Sequence, residues 1–246
     1  MKVLLIGDSC EDRYFYGEAK RLNPEAPVPI LEYRRGVTSK GMVWNVRENL
    51  KSFGVEVYLS IHPEAIIKTR YIDEKSNQQI MRYDVEPKIE PLSFDFPTEW
   101  NSLYDALVIS DYDKGFLTTE KIFELTSRFV GPVFIDSKKS NLPADAYIKI
   151  NELEYERMAY CNYENLIITR GGEGAEYKGD LYPAEKVNVV DVVGAGDTFL
   201  AALTYGYLKY NRIEEAIPLA NKAAAVAVSH RGTYVLTEED VTKILY

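Results

Sequence analysis

Short apolar runs alternate with amphipathic stretches along most of this chain. Residues 3–6, 55–60, 106–110, 133–136, 147–150 and 166–169 are mostly continuous in apolar residues. Such runs predict strands buried on both faces, as in a parallel sheet covered by helices. Between them lie helical patterns. Residues 41–53 carry Met42, Val46, Leu50 and Phe53 on one stripe. Further helices are predicted over 118–129, 152–160, 194–210, the Ala-rich 213–229, and 237–245, with Thr237 and Asp240 near the start of the last.

Three segments break this rhythm. Residues 28–35, 66–73 and 78–85 mix polar with apolar positions, as half-exposed strands do. Lys68, Arg70 and Arg82 recur in them. They read as a small separate β-layer over the mouth of the main sheet. The overall expectation is one α/β domain spanning 1–246, its smaller layer formed from about 13–40 and 66–90.

The densest chemistry lies at Asp191-Val-Val-Gly-Ala-Gly-Asp-Thr-Phe199. A β-type run over 187–190 leads in and a helical run follows, so the glycines are expected where a strand ends and a helix begins. A helix start presents unpaired N–H groups and the positive dipole end, which suit a phosphate. Asp197 in that first turn repels an anion. It is either a mildly stabilising N-terminal carboxylate or a base that takes a proton from an attacking hydroxyl.

Composition narrows the field. At 246 residues, with 46% hydrophobic and 27% charged positions, the chain can bury a sizeable core. A net charge of −9 argues against a nucleic-acid partner. Cys10 and Cys161 form no spacing motif, so neither a disulfide nor a Cys/His metal site is expected. His62 and His230 stand alone and read as surface or helix-end residues. The opening Met1-Lys-Val-Leu-Leu-Ile6 is too short for a secretory h-region and nothing approaches a membrane span, so a cytoplasmic location is expected. The turn from Gly7 to Asp12 has one glycine and is no dinucleotide fingerprint, and no P-loop occurs.

The motif around Asp197 resembles the C-terminal signature of the ribokinase (PfkB-type) sugar kinases. Gly7-Asp-Ser-Cys-Glu-Asp-Arg-Tyr-Phe-Tyr-Gly17 and Arg21-Leu-Asn-Pro-Glu-Ala-Pro-Val-Pro29 resemble the D-glycero-D-manno-heptose 7-phosphate kinases within that family. Lys68-Thr-Arg70, Gln78-Gln79, Arg82-Tyr-Asp84, Ser110-Asp-Tyr-Asp-Lys-Gly115, Asp136-Ser-Lys138, Asn151-Glu-Leu-Glu154, Thr169-Arg-Gly171, Gly174 and Gly232-Thr233 continue the series in order. The resemblance implies a ribokinase-like α/β sandwich with a mostly parallel central sheet, flanking helices and a small β-lid through which two copies dimerise. It implies a shortened, stand-alone kinase that uses ATP and Mg²⁺.

By the same resemblance Asp197 is the base, and the N–H groups of Gly194, Ala195 and Gly196 stabilise the transferring phosphoryl group. Asp8, Asp12, Gly41 and Asn45 would meet the sugar, and Arg13, Lys68, Arg70, Arg82 and Lys114 are candidates for a substrate phosphate. Thr169, Gly171, Gly174 and Asn221 would border the nucleotide. Asn151 and Glu154 would organise Mg²⁺ through water, and Asp191 a monovalent cation such as K⁺. Asn151 and Glu154 equally suit a capping box, the first residue capping a helix and the second reaching back.

One segment departs from the family pattern. Gly-Gly-Ala-Ala-Asn-Val stands here as Gly41-Met-Val-Trp-Asn-Val46, with Met42 at the second glycine and Trp44 before the asparagine. Trp44 reads either as a stacking platform for a sugar or as core filler. The change keeps two alternatives open: a kinase for another sugar or a nucleoside, and a non-catalytic sugar- or nucleotide-binding relative with a regulatory role.

Overall fold

The computed structural model describes residues 1–94, 96, 99–157 and 163–246. The chain forms two compact units, one from Met1–Asp8, Met42–His62 and Ile89–Tyr246, the other from Ser9–Gly41 and Pro63–Lys88.

The larger unit is built on an eight-stranded sheet. Its strands are β1 (Lys2–Gly7), β4 (Glu56–Ser60), β7 (Ala106–Asp111), β8 (Val133–Ser137), β9 (Tyr147–Asn151), β10 (Leu166–Thr169), β11 (Gly174–Tyr177) and β12 (Asp180–Pro183). The order is β12-β11-β10-β9-β8-β7-β1-β4. The six strands anticipated from apolar runs pair in parallel, and the β11–β12 hairpin adds an antiparallel edge. Val3, Leu5, Val108, Phe134 and Ile148 are fully buried, as strands covered on both faces require.

Helices supply the cover: α1 (Val43–Ser52), α2 (Trp100–Leu103), α3 (Thr119–Arg128), α4 (Glu152–Arg157), α5 (Ala195–Tyr210), α6 (Ile213–Val228) and α7 (Glu238–Leu245). Their starts follow local chemistry. Thr118 accepts from Lys121 N–H to cap α3, and Thr237 with Asp240 forms a capping box on α7. The segment expected as a helix over 152–160 is helical to Arg157; residues 158–160 and Cys161, with any Cys10–Cys161 pairing, lie outside the described residues. Helices α5 and α6 pack closely because Gly206 faces Ala216: a Cβ on Gly206 would lie 2.9 Å from the Ala216 Cα. No helix among the described residues is long and apolar enough to cross a membrane.

The smaller unit is a four-stranded sheet of β2 (Ser9–Leu22), β3 (Pro29–Met42), β5 (Ile66–Asp73) and β6 (Gln78–Val85), in the order β3-β2-β5-β6. Only the last residue of β3, Met42, falls in the larger unit. Phe15 stacks on Tyr71 and meets Tyr33 edge-on, and Arg35 lies over the Tyr16 ring.

Several local expectations are corrected. Residues 187–190 form no strand; Val187, Val189 and Val190 are exposed, and Val190 N–H donates to the Val228 carbonyl instead of a sheet neighbour. The glycine run therefore joins a loop to a helix. The stretch from Gly7 to Asp12 is not a strand-to-helix turn, because β2 begins at Ser9 and carries Asp12. His62 is not on the surface: it is 1% exposed, with its ring against Phe116. Met42, not Gly41, precedes α1, and it holds φ 57° and ψ −128°. That backbone suits glycine, so Met42 carries strain of about 1–3 kcal/mol.

Candidate active site

The start of α5 sets the geometry. Gly194 caps the helix at φ 80°, and a Cβ there would lie 2.6 Å from the Asn45 amide nitrogen. Helical bonding begins with Thr198 N–H donating to the Gly194 carbonyl. The N–H groups of Gly196 and Asp197 therefore have no intrahelical acceptor. Ala195 N–H instead donates to Val192 at 3.3 Å, so of the three donors expected at 194–196, that of Ala195 is already engaged.

Asp197 is buried in this turn, with 4% of its surface exposed. Tyr112 Oη donates to Oδ1 at 2.7 Å, and Asn45 Nδ2 donates to Oδ2 at 3.3 Å and to the Gly194 carbonyl at 3.0 Å. Burial pushes the Asp197 carboxyl up to about 6, partly offset by the Tyr112 hydrogen bond. A carboxylate poised near neutrality accepts a proton well. Beside it, Lys149 Nζ pairs with Asp136 Oδ2 at 2.7 Å, and Lys149 is 5% exposed.

Asp8, expected to meet substrate, is 1% exposed and its Oδ2 accepts the backbone N–H groups of Tyr112 and Lys114. Burial raises its pKa. Asp8 therefore braces the segment that carries Tyr112 and Lys114.

A cavity of about 750 Å³ opens from this point. Asp197, Gly196 and Lys149 lie along its polar side, while Val187, Ala224 and Val228 are among its apolar lining. Thr169, Gly171, Gly174, Asn151 and Asn221 line it as well, so the structure brings the expected nucleotide residues together. Asn221 also braces the fold, since its amide donates to the Tyr182 carbonyl at 2.7 Å. Asn151 and Glu154 adopt the reciprocal capping geometry, Glu154 N–H to Asn151 Oδ1 and Asn151 N–H to Glu154 Oε2, each 2.9 Å. The other Glu154 oxygen pairs with Lys138. Burial would raise the Glu154 pKa, but the Asn151 N–H and Lys138 outweigh it and hold it below the usual value. Asp191 accepts from Val193 N–H and Gly232 N–H and so ties two loops together.

The remaining expected residues, Asp12, Arg13, Gly41, Lys68, Arg70 and Arg82, belong to the smaller unit. Arg70 pairs with Asp12 at 2.6 Å, Arg13 with Glu11, and Arg82 with Asp84 through two nitrogens. Lys68 stands opposite both Asp12 and Asp84 in the strand register. A Cβ on Gly41 would strike Asp12 and Cys10. Trp44, in the larger unit, packs partly buried against the core, which favours the filler role.

Sequence reasoning assigned no role to Tyr112, Asp136 or Lys149. The first two lie within the motifs that carry the family resemblance. Lys149 had its own signal, a lysine inside the apolar run Tyr147-Ile-Lys-Ile150, where burial demands a partner.

A model of the pfkB family carbohydrate kinases matches residues 145–240. The chain is 30% identical to the bifunctional protein HldE of Helicobacter acinonychis over 307 aligned positions, covering 99% of this chain and 66% of that protein. It is 31% identical to the HldE of a Nitratiruptor species, covering 98% of this chain and 64% of the relative. The chain thus spans just under two thirds of these relatives. In fold it is similar to Escherichia coli phosphofructokinase-2, solved with potassium (TM-score 0.73, 17% identity, 98% and 97% of the two chains), and to Arabidopsis thaliana ribokinase, solved with ribose and ATP (0.70, 16%, 99% and 98%).

Proposed function

We propose that this chain is a carbohydrate kinase of the pfkB family whose acceptor is a phosphorylated sugar, the anomeric hydroxyl of D-glycero-D-manno-heptose 7-phosphate, with ATP as donor. The observation that carries the reading is Asp197: a buried carboxylate near neutrality in the first turn of a helix with free N–H donors, beside a cavity. Asp197 takes the acceptor proton as the acceptor oxygen bonds to the γ-phosphorus; the bond from that phosphorus to the β–γ bridging oxygen breaks, and ADP leaves. The N–H groups of Gly196 and Asp197 and the Lys149 ammonium stabilise negative charge on the transferring group.

The cavity's volume and mixed lining fit a nucleotide. For Mg²⁺ the donor chemistry fits an ion held through water: Asn151 lines the cavity and is joined to Glu154 by reciprocal hydrogen bonds, so that an amide oxygen and a carboxylate stand together there. Mg²⁺ there would neutralise phosphate charge. The Asp191 loop remains the proposed place of a monovalent cation.

The smaller unit's Asp12, Arg13, Lys68, Arg70 and Arg82 supply charges suited to a sugar phosphate. Its exposed Tyr33, Met81 and Tyr83 support a homodimer formed through that unit, checked by sedimentation of Tyr33 and Tyr83 variants. Met42, strained where the family pattern has glycine, favours a second reading in which the acceptor is another sugar or a nucleoside.

The test is ADP release from Mg-ATP with heptose 7-phosphate, other sugar phosphates, free hexoses, ribose and nucleosides, with Asp197→Asn alongside. Turnover with heptose 7-phosphate, lost in the variant, supports the proposal. Turnover with a different acceptor alone selects the second reading. Nucleotide binding without any acceptor-dependent turnover points to the non-catalytic alternative.

A further inference from the structure

The segment after β7 is fixed far more tightly than an exposed loop needs. Asp8 Oδ2 accepts from Tyr112 N–H at 2.8 Å and from Lys114 N–H at 3.2 Å. Asp111 Oδ1 accepts from Asp113 N–H, and Lys139 Nζ bridges Asp111 at 2.8 Å and Asp113 at 2.7 Å. Asp113 holds a left-handed φ of 57° within this frame. Ser137 donates to the second oxygen of Asp111. Two buried carboxylates, Asp8 and Asp111, and Lys139 thus converge on Tyr112, Asp113 and Lys114, an arrangement whose burial costs free energy unless geometry repays it. What the frame presents is the Tyr112 phenol, donated to Asp197 Oδ1 at 2.7 Å.

We propose that Tyr112 is a positioning residue for the base, holding one Asp197 oxygen so that the other serves the acceptor hydroxyl, and that Asp8, Asp111 and Lys139 act by fixing the loop that carries it. This rests on the reading of Asp197 as the base. The phenol hydrogen-bonds to the ionised form, so its removal disfavours ionisation. The other groups facing Asp197 are Asp136 on β8, which disfavours its charge, Lys149 on β9, which favours it, and the neutral Asn45 on α1. They remain in place when Tyr112 is changed.

The test begins without substrate. The carboxylate of Asp197 is titrated by ¹³C NMR in aspartate-labelled protein, its resonance identified by loss in Asp197→Asn. The wild-type midpoint is expected at about 6. Tyr112→Phe removes only the oxygen and is expected to raise the midpoint by about one pH unit. Asp8→Asn weakens the brace and is expected to move it the same way by less. An unmoved midpoint in a folded Tyr112→Phe protein overturns the proposal.

With an acceptor that turns over, the acid limb of kcat/KM is expected to move by the same amount. The loss is then about tenfold below pH 6 and slight at pH 8.5. A uniform loss with the limb in place overturns the positioning role. Turnover retained by Asp197→Asn sinks the base assignment and the catalytic half of this proposal, while the titration still decides whether Tyr112 governs the carboxylate.

Discussion

Asp197 should cost the folded protein stability at neutral and alkaline pH. Its carboxyl titrates at about 6 in the fold against 3.8 for an exposed aspartate, chiefly because burial penalises the charge. The native state therefore holds the proton more tightly than the unfolded chain. That preference stabilises the fold below pH 4 and is lost as pH rises through 6. A shift of about two units corresponds to about 3 kcal/mol carried as a cost at pH 8. Asp197→Asn removes the charge and keeps the shape. The Tyr112 phenol still donates to the amide oxygen, but the new NH₂ faces the Asn45 amide nitrogen, 3.3 Å from the present oxygen, at a cost of about 1 kcal/mol. The variant is expected to exceed the wild type by about 1–2 kcal/mol at pH 8. The advantage should vanish by pH 4.5. Urea unfolding at pH 4.5, 6 and 8 reads this directly. A variant less stable than the wild type at pH 8, or a difference independent of pH, would refute the reasoning. The measurement needs no acceptor and so stands apart from the assignment of substrate.

Three further outcomes follow from the packing. Lys149→Met strands the Asp136 carboxylate and should cost about 3 kcal/mol, most of it recovered in the double variant Asp136→Asn/Lys149→Met; equal losses in both would show that the pair is not the cause. Gly206→Val forces atoms into the Ala216 backbone and should cost about 1–3 kcal/mol in thermal unfolding, with an unchanged melting temperature counting against close α5–α6 packing. Gly194→Ala places a methyl against Asn45 at a left-handed cap and should lower turnover on the order of a hundredfold with the fold retained, as circular dichroism and the kinase assay together would show.

Much of the larger unit could be read from local pattern. The six parallel strands follow from continuous apolar runs, because a strand buried on both faces has no polar side to show. Helices α3 and α7 follow from their caps, and Gly194 to Asp197 from the glycine-rich helix start. The β11–β12 hairpin was not anticipated: its strands are four residues each, with little room for a period. Residues 187–190 show the opposite error, a β-type composition without a neighbouring strand to bond.

The sequence by itself determined the α/β class, the glycine-rich helix start and the aspartate within it, because these depend on residues adjacent in the chain. Only the tertiary structure decided that Tyr112 and Asn45 hold that aspartate, that Lys149 and Asp136 lie beside it, and that its carboxyl is lifted toward neutrality. Those properties arise from burial and from pairs 85 and 152 residues apart. Desolvation and long-range hydrogen bonds exist only once the sheet has brought the ends of its strands together.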